Sequence, residues 1–336
     1  MTRERLISPK SQSIDLEEEK TYSATTSLRP KSLTQYLGQK ELKERLHVAL
    51  EAAKIRKGSM DHVLLYGPPG LGKTSLAYVI ANELGSRAWV TSGPALTKAS
   101  DLVGTLTRME ENDVLFIDEI HRLPAAVEEY IYPAMEDYKI DFTLDSGMHA
   151  RVVSYVLQPF TLIGATTRAG LLTGALRSRF GLVHNIRFYN CEELTQILIQ
   201  GAEILGMPKI KQTSFEQIAL RSRGTPRIAL RLLKRVNDYA LVKSNNSITI
   251  DVVNKALALE GIDDSGLDAL DRIYLTTLAT IYEGGPVGVE AIAATLGEDA
   301  GTLEDVVEPY LLQAGLLSRT KQGRKITAQG IKKCSQ

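Results

Sequence analysis

The chain has 336 residues, of which 43% are hydrophobic and 24% are charged. This composition excludes a disordered chain, and no apolar run reaches the roughly 18 residues that cross a bilayer. Forty Lys and Arg residues balance forty Asp and Glu residues, so any contact with nucleic acid must come from a local basic patch. Two cysteines form no disulfide framework, and the N-terminus lacks the apolar core of a signal peptide. We therefore expect a cytoplasmic protein of two or three domains.

Residues 1–24 are polar and charged, and we expect a flexible tail there. From residue 25 to about 185, helical and strand patterns alternate, which is typical of an α/β core with a buried parallel sheet. The patterns predict a helix at 39–57, a strand at 62–66, a helix from 73, and further strands at 88–91, 113–118 and 160–167. Residues 139–157 interrupt this order with two alternating stretches around a glycine, which predicts a hairpin.

The rest of the chain predicts two further domains. Residues 186–261 carry only helical patterns and indicate an all-α domain. Residues 262–336 predict three helices, at 267–282, 289–296 and 302–313, followed by a hairpin. Three helices and a hairpin in this order are typical of a winged helix, which is a DNA-binding fold.

A nucleotide-binding motif lies between the strand at 62–66 and the helix that follows it. The sequence GPPGLGKT, from Gly67 to Thr74, fits G-x-x-x-x-G-K-[ST]. In this motif backbone N–H groups surround phosphates, the lysine reaches the outer phosphates and the hydroxyl binds Mg²⁺. The sequence therefore predicts that Lys73 and Thr74 bind a nucleoside triphosphate and its magnesium ion.

Three polar residues follow the other buried strands. Asp118 and Glu119 end the run VLFIDE, at the edge where ligands bind in open α/β sheets. We expect Asp118 to help hold Mg²⁺, directly or through water, and Glu119 to polarise the attacking water. The two acids could instead only cap the next helix. Thr167 ends the run FTLIGATT and can orient water beside the γ-phosphate, although threonine is also common in strands.

Two arginines are candidates for sensing phosphate. Arg179 lies in LRSRFG and Arg227 lies in the all-α domain, and a cation near the γ-phosphate strongly accelerates hydrolysis. Residues 221–235 carry six basic residues and no acidic one. A solvated helix or a DNA-facing helix is therefore an alternative interpretation of this region.

The motifs in this order resemble the AAA+ ATPases, and in detail the RuvB family of bacterial Holliday-junction branch-migration motors. The resemblance covers about residues 27–327 and rests on stretches such as DHVLLYGPPGLGKT, DVLFIDEIHRL, QPFTLIGATTRAGLL, LRSRFG, RGTPRIALRLLKRV and EPYLLQAGLLSRT. It implies an ATP-driven DNA translocase that acts in recombination and DNA repair. Two alternatives are a clamp-loader-like AAA+ protein and a DNA-binding initiator that uses ATP only as a switch.

The resemblance also implies roles for individual residues. The adenine side of the site would be formed by Leu28, Arg29, Tyr189 and Arg227. The phosphates would be held by Gly70, Lys73, Thr74 and Ser75. Further nucleotide contacts would come from Glu136, Asp137 and Tyr138. Arg179 would be an arginine finger that reaches the ATP of the neighbouring subunit in a homo-hexameric ring.

Two surfaces are expected to bind partners. One strand of the hairpin at 139–157 alternates Ile140, Phe142 and Leu144, and this apolar face would dock RuvA, unless it packs on its own domain. RuvC would join the same complex when junctions are resolved. In the winged helix, Arg319 and Arg324 flank the turn TKQG and would contact the DNA backbone without reading sequence, unless this basic end is merely solvated.

The charges of the last domain favour its hairpin over its helices as the DNA contact. Residues 261–315 contain eleven acidic residues and one basic residue, whereas residues 316–336 contain six basic residues and no acidic one. The helix that would ordinarily enter the major groove carries Glu304, Asp305 and Glu308. We expect these acids to disfavour insertion by repelling phosphates.

Overall fold

The computed structural model describes residues 28–143 and 152–334, except for the side chains of residues 142, 143 and 152. The expected N-terminal tail, residues 1–24, lies outside the described residues. Within these ranges, none of the helices is long and apolar enough to cross a membrane.

A five-stranded parallel sheet forms the core of the first domain, which we call the P-loop domain. In chain order its elements are α1 (Lys40–Arg56), β1 (Val63–Tyr66), α2 (Lys73–Leu84), β2 (Ala88–Ser92), α3 (Ala99–Leu106), β3 (Val114–Asp118), α4 (Ala125–Glu136), β4 (Lys139–Thr143), β5 (Val152–Val156), β6 (Thr161–Thr166), α5 (Gly174–Ser178) and β7 (Leu182–Asn185). The strands of the main sheet are ordered β2-β3-β6-β1-β7. The parallel sheet predicted from the sequence is confirmed, and β7 is an additional edge strand that the sequence patterns did not indicate.

The order of the strands determines where the site lies. β6 lies between β3 and β1, and all three run parallel. Because parallel strands end at the same edge of a sheet, the loops after β1, β3 and β6 come together there. All six residues of β6 are buried, which explains why this strand has an unbroken apolar pattern instead of an alternating one.

The predicted hairpin is a separate two-stranded antiparallel sheet of β4 and β5. Its base belongs to the domain, because Ile140 is 0% exposed and packs in the apolar cluster on one face of the main sheet. The expectation that Ile140 lies on an exposed face is therefore wrong. On the same face of the hairpin, Val153 and Tyr155 are 44% and 45% exposed. Leu144 lies outside the described residues, as does the side chain of Phe142.

Four helices form the second domain, which we call the lid: α6 (Cys191–Ile204), α7 (Gln212–Leu220), α8 (Pro226–Lys243) and α9 (Ile250–Leu259). Asn190 begins α6, because its side chain accepts a hydrogen bond from the backbone N–H of Glu193 and the Glu193 carboxylate accepts one from the backbone N–H of Asn190. Buried apolar residues of the lid belong to the same cluster as core residues of the P-loop domain. The lid is therefore packed against the core of the ATPase.

The third domain is a winged helix, as predicted, and we call it the wing domain. Its elements are α10 (Ala269–Thr280), α11 (Val289–Leu296), α12 (Ala300–Thr302), a π-helical segment (Leu303–Val307), α13 (Glu308–Gln313), β8 (Leu317–Thr320), β9 (Gly323–Ile326) and α14 (Ala328–Cys334). It has its own apolar core. Two details differ from the prediction: the third helix contains a π-helical segment, and α14 follows the hairpin.

Candidate functional site

A cleft of about 480 Å³ lies between the P-loop domain and the lid. Its size is that of a typical small-molecule site. Eleven residues named from the sequence line it together: Leu28, Arg29, Gly70, Lys73, Thr74, Ser75, Asp118, Glu119, Thr167, Tyr189 and Arg227. The fold thus brings residues from four loops and from the lid to one place.

The phosphate-binding loop has a backbone that requires glycine. Gly67 has φ of 142°, and a Cβ at this position would lie 2.4 Å from the carbonyl oxygen of Ile186. Gly70 has φ of 80° and lies against Arg227 of the lid. Both conformations are strained for residues with side chains. The glycines therefore let the loop turn tightly and let the lid approach it.

Lys73 is buried at the start of α2, with 7% of its surface exposed. Its ammonium group donates hydrogen bonds to the carbonyl oxygens of Gly67 and Pro68, at 2.8 and 2.9 Å. Burial lowers the pKa of Lys73 to about 8, although the carboxylates of Asp118 and Glu119 oppose this shift. A bound polyphosphate would supply the counter-charge that this buried ammonium lacks.

Glu119 is held by polar neighbours from two strand ends. Its Oε2 lies 3.2 Å from Nδ1 of His121 and 3.4 Å from the hydroxyl of Thr167. The same histidine nitrogen lies 2.8 Å from the hydroxyl of Thr166. Burial lowers the pKa of His121, which favours the neutral imidazole. Glu119 and Thr167 are therefore close enough to orient one water molecule between them.

The lid side of the cleft depends on a pair of buried tyrosines. The hydroxyl of Tyr189 donates to the hydroxyl of Tyr36 at 3.1 Å and lies 3.3 Å from the carbonyl oxygen of Leu71. Burial raises the pKa of Tyr36 to about 12 and also raises the pKa of Tyr189, so both hydroxyls stay protonated. Tyr36 also lines the cleft. It could not be predicted as a site residue, because a lone tyrosine carries no spacing signal.

Arg227 connects the lid to the phosphate-binding loop. Its backbone N–H donates to the carbonyl oxygen of Gly70 at 3.2 Å, and its side chain lines the cleft. Arg227 is the second residue of α8. Movement of the lid would therefore move a cation relative to the phosphates.

Arg179 lies elsewhere, since the described residues that line the cleft do not include it. Its guanidinium pairs with Glu136 at 3.1 Å and stacks 4.3 Å from the ring of Tyr132. The structure likewise does not bring Glu136, Asp137 or Tyr138 to the cleft of their own chain. Asp137 pairs with a neighbouring lysine, and the ring of Tyr138 packs on other aromatic rings.

The basic region at 221–235 is divided: Arg221 and Arg223 are buried before α8 begins, whereas Arg231 and Arg235 are exposed on α8. Arg223 is 9% exposed and pairs with Asp268 and Asp271 of the wing domain, both at 2.6 Å. Arg221 pairs with Asp264. These ion pairs attach the lid to the wing domain. Sequence patterns do not indicate this pairing, because the partners lie about 45 residues away along the chain.

The two wing arginines are also paired. Glu308 is 0% exposed and accepts hydrogen bonds from Nε of Arg319 at 2.7 Å and from Nε of Arg324 at 2.9 Å. Glu304 accepts one from Nη2 of Arg324 at 2.6 Å. The prediction that the acids of this helix act by repelling DNA is therefore incomplete, because two of them hold the basic residues of the hairpin.

Comparison with known families agrees with this architecture throughout the described chain. Three family models match in succession: the Holliday junction DNA helicase RuvB P-loop domain over residues 28–186, the RuvB AAA lid domain over 189–263, and the RuvB C-terminal winged helix domain over 264–334. The last match disfavours the clamp-loader-like alternative, which lacks this domain.

Individual relatives are similar over nearly the whole chain. The Holliday junction branch migration complex subunit RuvB of Desulfosudis oleivorans is 52% identical over 310 residues, which are 92% of this chain and 90% of that protein. The solved structure of the Thermotoga maritima RuvB Holliday junction branch migration motor is 51% identical, with a TM-score of 0.84, covering 92% of this chain and 98% of that chain. A mutant of the same Thermotoga protein gives a TM-score of 0.85. The chain therefore belongs to the RuvB family of Holliday junction branch migration motors, which are AAA+ P-loop ATPases and DNA helicases.

Proposed function

We propose that the chain works as a ring of six copies, in which each subunit supplies Arg179 to the ATP bound by its neighbour. The observation that carries this proposal is the position of Arg179 outside the cleft of its own chain, beside Glu136. Asp137 and Tyr138 directly follow Glu136, which pairs with Arg179. We therefore assign their nucleotide contacts, like that of Arg179, to the ATP of the neighbouring subunit. A finger supplied by the neighbour makes hydrolysis depend on the relative position of two subunits, which couples chemistry to movement along DNA.

The residues of the cleft fit a magnesium ion. Thr74 and Asp118 both line the cleft, and hydroxyl and carboxylate oxygens are ligands that Mg²⁺ prefers. The ion would neutralise charge on the β- and γ-phosphates, while Lys73 binds the outer phosphates. Glu119 and Thr167 then position water for attack on the γ-phosphate.

RuvA and the arms of a junction are the proposed partners. The Desulfosudis relative is a subunit of a branch migration complex. The hairpin of β4 and β5 exposes Val153, which pairs in register with Phe142, and Tyr155. This apolar face is the proposed RuvA site, and RuvC would join when junctions are resolved. Arg319 and Arg324 are the proposed contacts to the phosphates of duplex DNA.

Mixing variant subunits tests the ring mechanism. Arg179→Ala and Lys73→Ala proteins should each be inactive alone, whereas a mixture should recover part of the ATP hydrolysis, because some interfaces then combine an intact site with an intact finger. Arg177→Ala, an exposed arginine two residues earlier, is the matched control and should stay active. No recovery in mixed rings whose assembly has been verified by sizing would contradict the proposal.

A further inference from the structure

Arg168 joins the P-loop domain directly to the wing domain. Its Nε and Nη2 donate to Oδ1 of Asp305, at 3.1 and 2.9 Å, and Nη2 also lies 3.4 Å from Oε2 of Glu304. The three side chains are between 31% and 43% exposed. These pairs can therefore break and re-form at small cost, unlike a buried pair.

Arg168 lies next to the residues of the P-loop domain that are proposed to act in ATP hydrolysis. Arg168 directly follows Thr167, and its backbone N–H donates to the hydroxyl of Thr166 at 2.9 Å. Thr167 in turn contacts Glu119. Eleven residues further along lies Arg179. A displacement of Arg168 would thus shift residues of its own ATP site. Through α5 it would also shift Arg179, the proposed arginine finger.

On the wing side, one carboxylate is shared between Arg168 and a proposed DNA contact. Oε1 of Glu304 accepts from Arg324 at 2.6 Å, whereas Oε2 faces Arg168 at 3.4 Å. A DNA phosphate that draws Nη2 of Arg324 away leaves Glu304 with Arg168 as its cationic partner. Binding of DNA therefore changes the force on Arg168.

The wing domain has a second and firmer attachment, which is to the lid. Arg223 and Asp271 of that attachment are 9% and 0% exposed, and breaking a buried pair is far more costly than breaking an exposed one. The lid and the wing domain therefore move together, while the more exposed contact with Arg168 can open and close.

We propose that Arg168 is a coupling residue, which transmits the DNA contact of the wing, through Glu304 and Asp305, to Thr167 and Glu119. This inference rests on the proposed contact between Arg324 and DNA. The role is one of positioning, because Arg168 acts on hydrolysis through its neighbours and does not line the cleft.

The test compares ATP hydrolysis with and without saturating duplex DNA in the full chain. Arg168→Gln and Asp305→Asn should each reduce the stimulation by DNA, by about 2- to 30-fold, which is the range of couplings carried by residues between two sites. The double variant should be no worse than either single variant, because both remove the same contact. Arg45→Gln breaks an isolated exposed pair with Glu41 on α1 and should keep full stimulation.

The outcomes separate coupling from a merely structural role. A lowered unfolding temperature with normal stimulation by DNA would overturn the inference, as would additive losses in the double variant. If Arg319→Ala with Arg324→Ala leaves DNA binding unchanged, or if DNA does not stimulate the unchanged protein, the proposed DNA contact fails as well. A third outcome is that DNA stimulates the Arg168→Gln variant normally, while DNA binding does depend on Arg319 and Arg324. This outcome would overturn the role of Arg168 but leave the proposed DNA contact in place.

Discussion

The buried carboxylate of Glu308 holds Arg324 by a hydrogen bond of 2.9 Å from Nε. Its other oxygen, Oε2, holds Arg319. The hydroxyl of Tyr274 donates to Oε1, the oxygen that also accepts from Arg324, at 2.9 Å. Such contacts fix the Nε sides of both arginines and limit the directions in which their remaining N–H groups can point. Glu308 therefore orients the two cations of the wing-domain hairpin that are the proposed contacts to DNA phosphates.

Removal of both arginines should weaken DNA binding without changing its sequence preference. Arg319→Ala with Arg324→Ala should lower the affinity for unrelated duplexes equally and reduce the salt slope by roughly 2, at about one unit per lost phosphate contact. The measurement is the binding constant at several salt concentrations. An unchanged slope, or a loss confined to one DNA sequence, would contradict a contact with the backbone.

Neutralising Glu308 should weaken DNA binding, although removal of a negative charge alone would be expected to strengthen it. Loss of a negative charge near DNA ordinarily strengthens binding, but Glu308→Gln removes the group that orients both arginines, so we expect weaker binding. Glu298→Gln, an exposed acid of the same domain, is the control and should bind DNA equally or more tightly. Because a buried partner is lost, the free energy of unfolding should also fall, by about 1–3 kcal/mol.

Tyr274→Phe shows whether Glu308 affects DNA binding by orienting the two arginines or by stabilising the wing domain. This variant removes one hydrogen bond to Glu308 but leaves both arginine pairs, so it should destabilise the wing domain with little change in DNA affinity. If Tyr274→Phe and Glu308→Gln weaken DNA binding to the same extent, stability rather than orientation explains the effect.

Two residues of the cleft should separate binding from hydrolysis. Lys73→Ala removes the cation at the phosphates and should abolish nucleotide binding. Glu119→Gln keeps the shape of the site but accepts a proton poorly, so binding should persist while hydrolysis slows by about 100-fold or more. Binding of a fluorescent nucleotide and steady-state hydrolysis measure the two effects. Hydrolysis at the normal rate in Glu119→Gln would show that another group activates water.

Much of this cleft was predictable because its signals are local. The phosphate-binding loop has a fixed spacing, and Asp118 and Thr167 each end a buried strand, so parallel pairing places them at one edge. The ion pairs of the wing domain were not predictable in this way. Arg168 and Asp305 are 137 residues apart, and neither periodicity nor spacing indicates which arginine meets which carboxylate.

The hairpin shows a second limit of pattern reasoning. Alternation of Ile140, Phe142 and Leu144 identifies one face of a strand but does not show where the domain ends. Ile140 lies at the base of the hairpin and packs in the core, whereas the partner strand exposes Val153 and Tyr155. Tertiary packing therefore decides which part of a face is free for a partner.

Charge on the proposed RuvA face of the hairpin should abolish RuvA binding. Phe142→Asp or Tyr155→Asp should remove the complex, as measured by sizing or calorimetry, while hydrolysis without partners is retained. Ile140→Ala is the contrasting variant and should instead lower stability by about 2–5 kcal/mol, as core truncations do. Unfolding of the Phe142 and Tyr155 variants would indicate that this face packs on its own domain.

The pKa of Lys73 predicts how nucleotide binding depends on pH. In the nucleotide-free protein this pKa is about 8, so the ammonium loses its proton as the pH rises through that value. A bound triphosphate raises the pKa, because it favours the charged form. Binding must then take up a proton above pH 8, and the affinity should fall by up to about tenfold per pH unit.

Calorimetry in two buffers with different heats of ionisation measures this proton uptake directly. The measurement is best made in the Glu119→Gln variant, because its slow hydrolysis leaves the bound ATP intact during the experiment. Lys73→Arg is the control, because arginine stays charged at every accessible pH, so its remaining affinity should not follow the same titration. Proton uptake that persists in Lys73→Arg would assign the titration to another group in the cleft, and an affinity that stays constant from about pH 7 to about pH 9.5 would mean that Lys73 keeps its proton without the nucleotide.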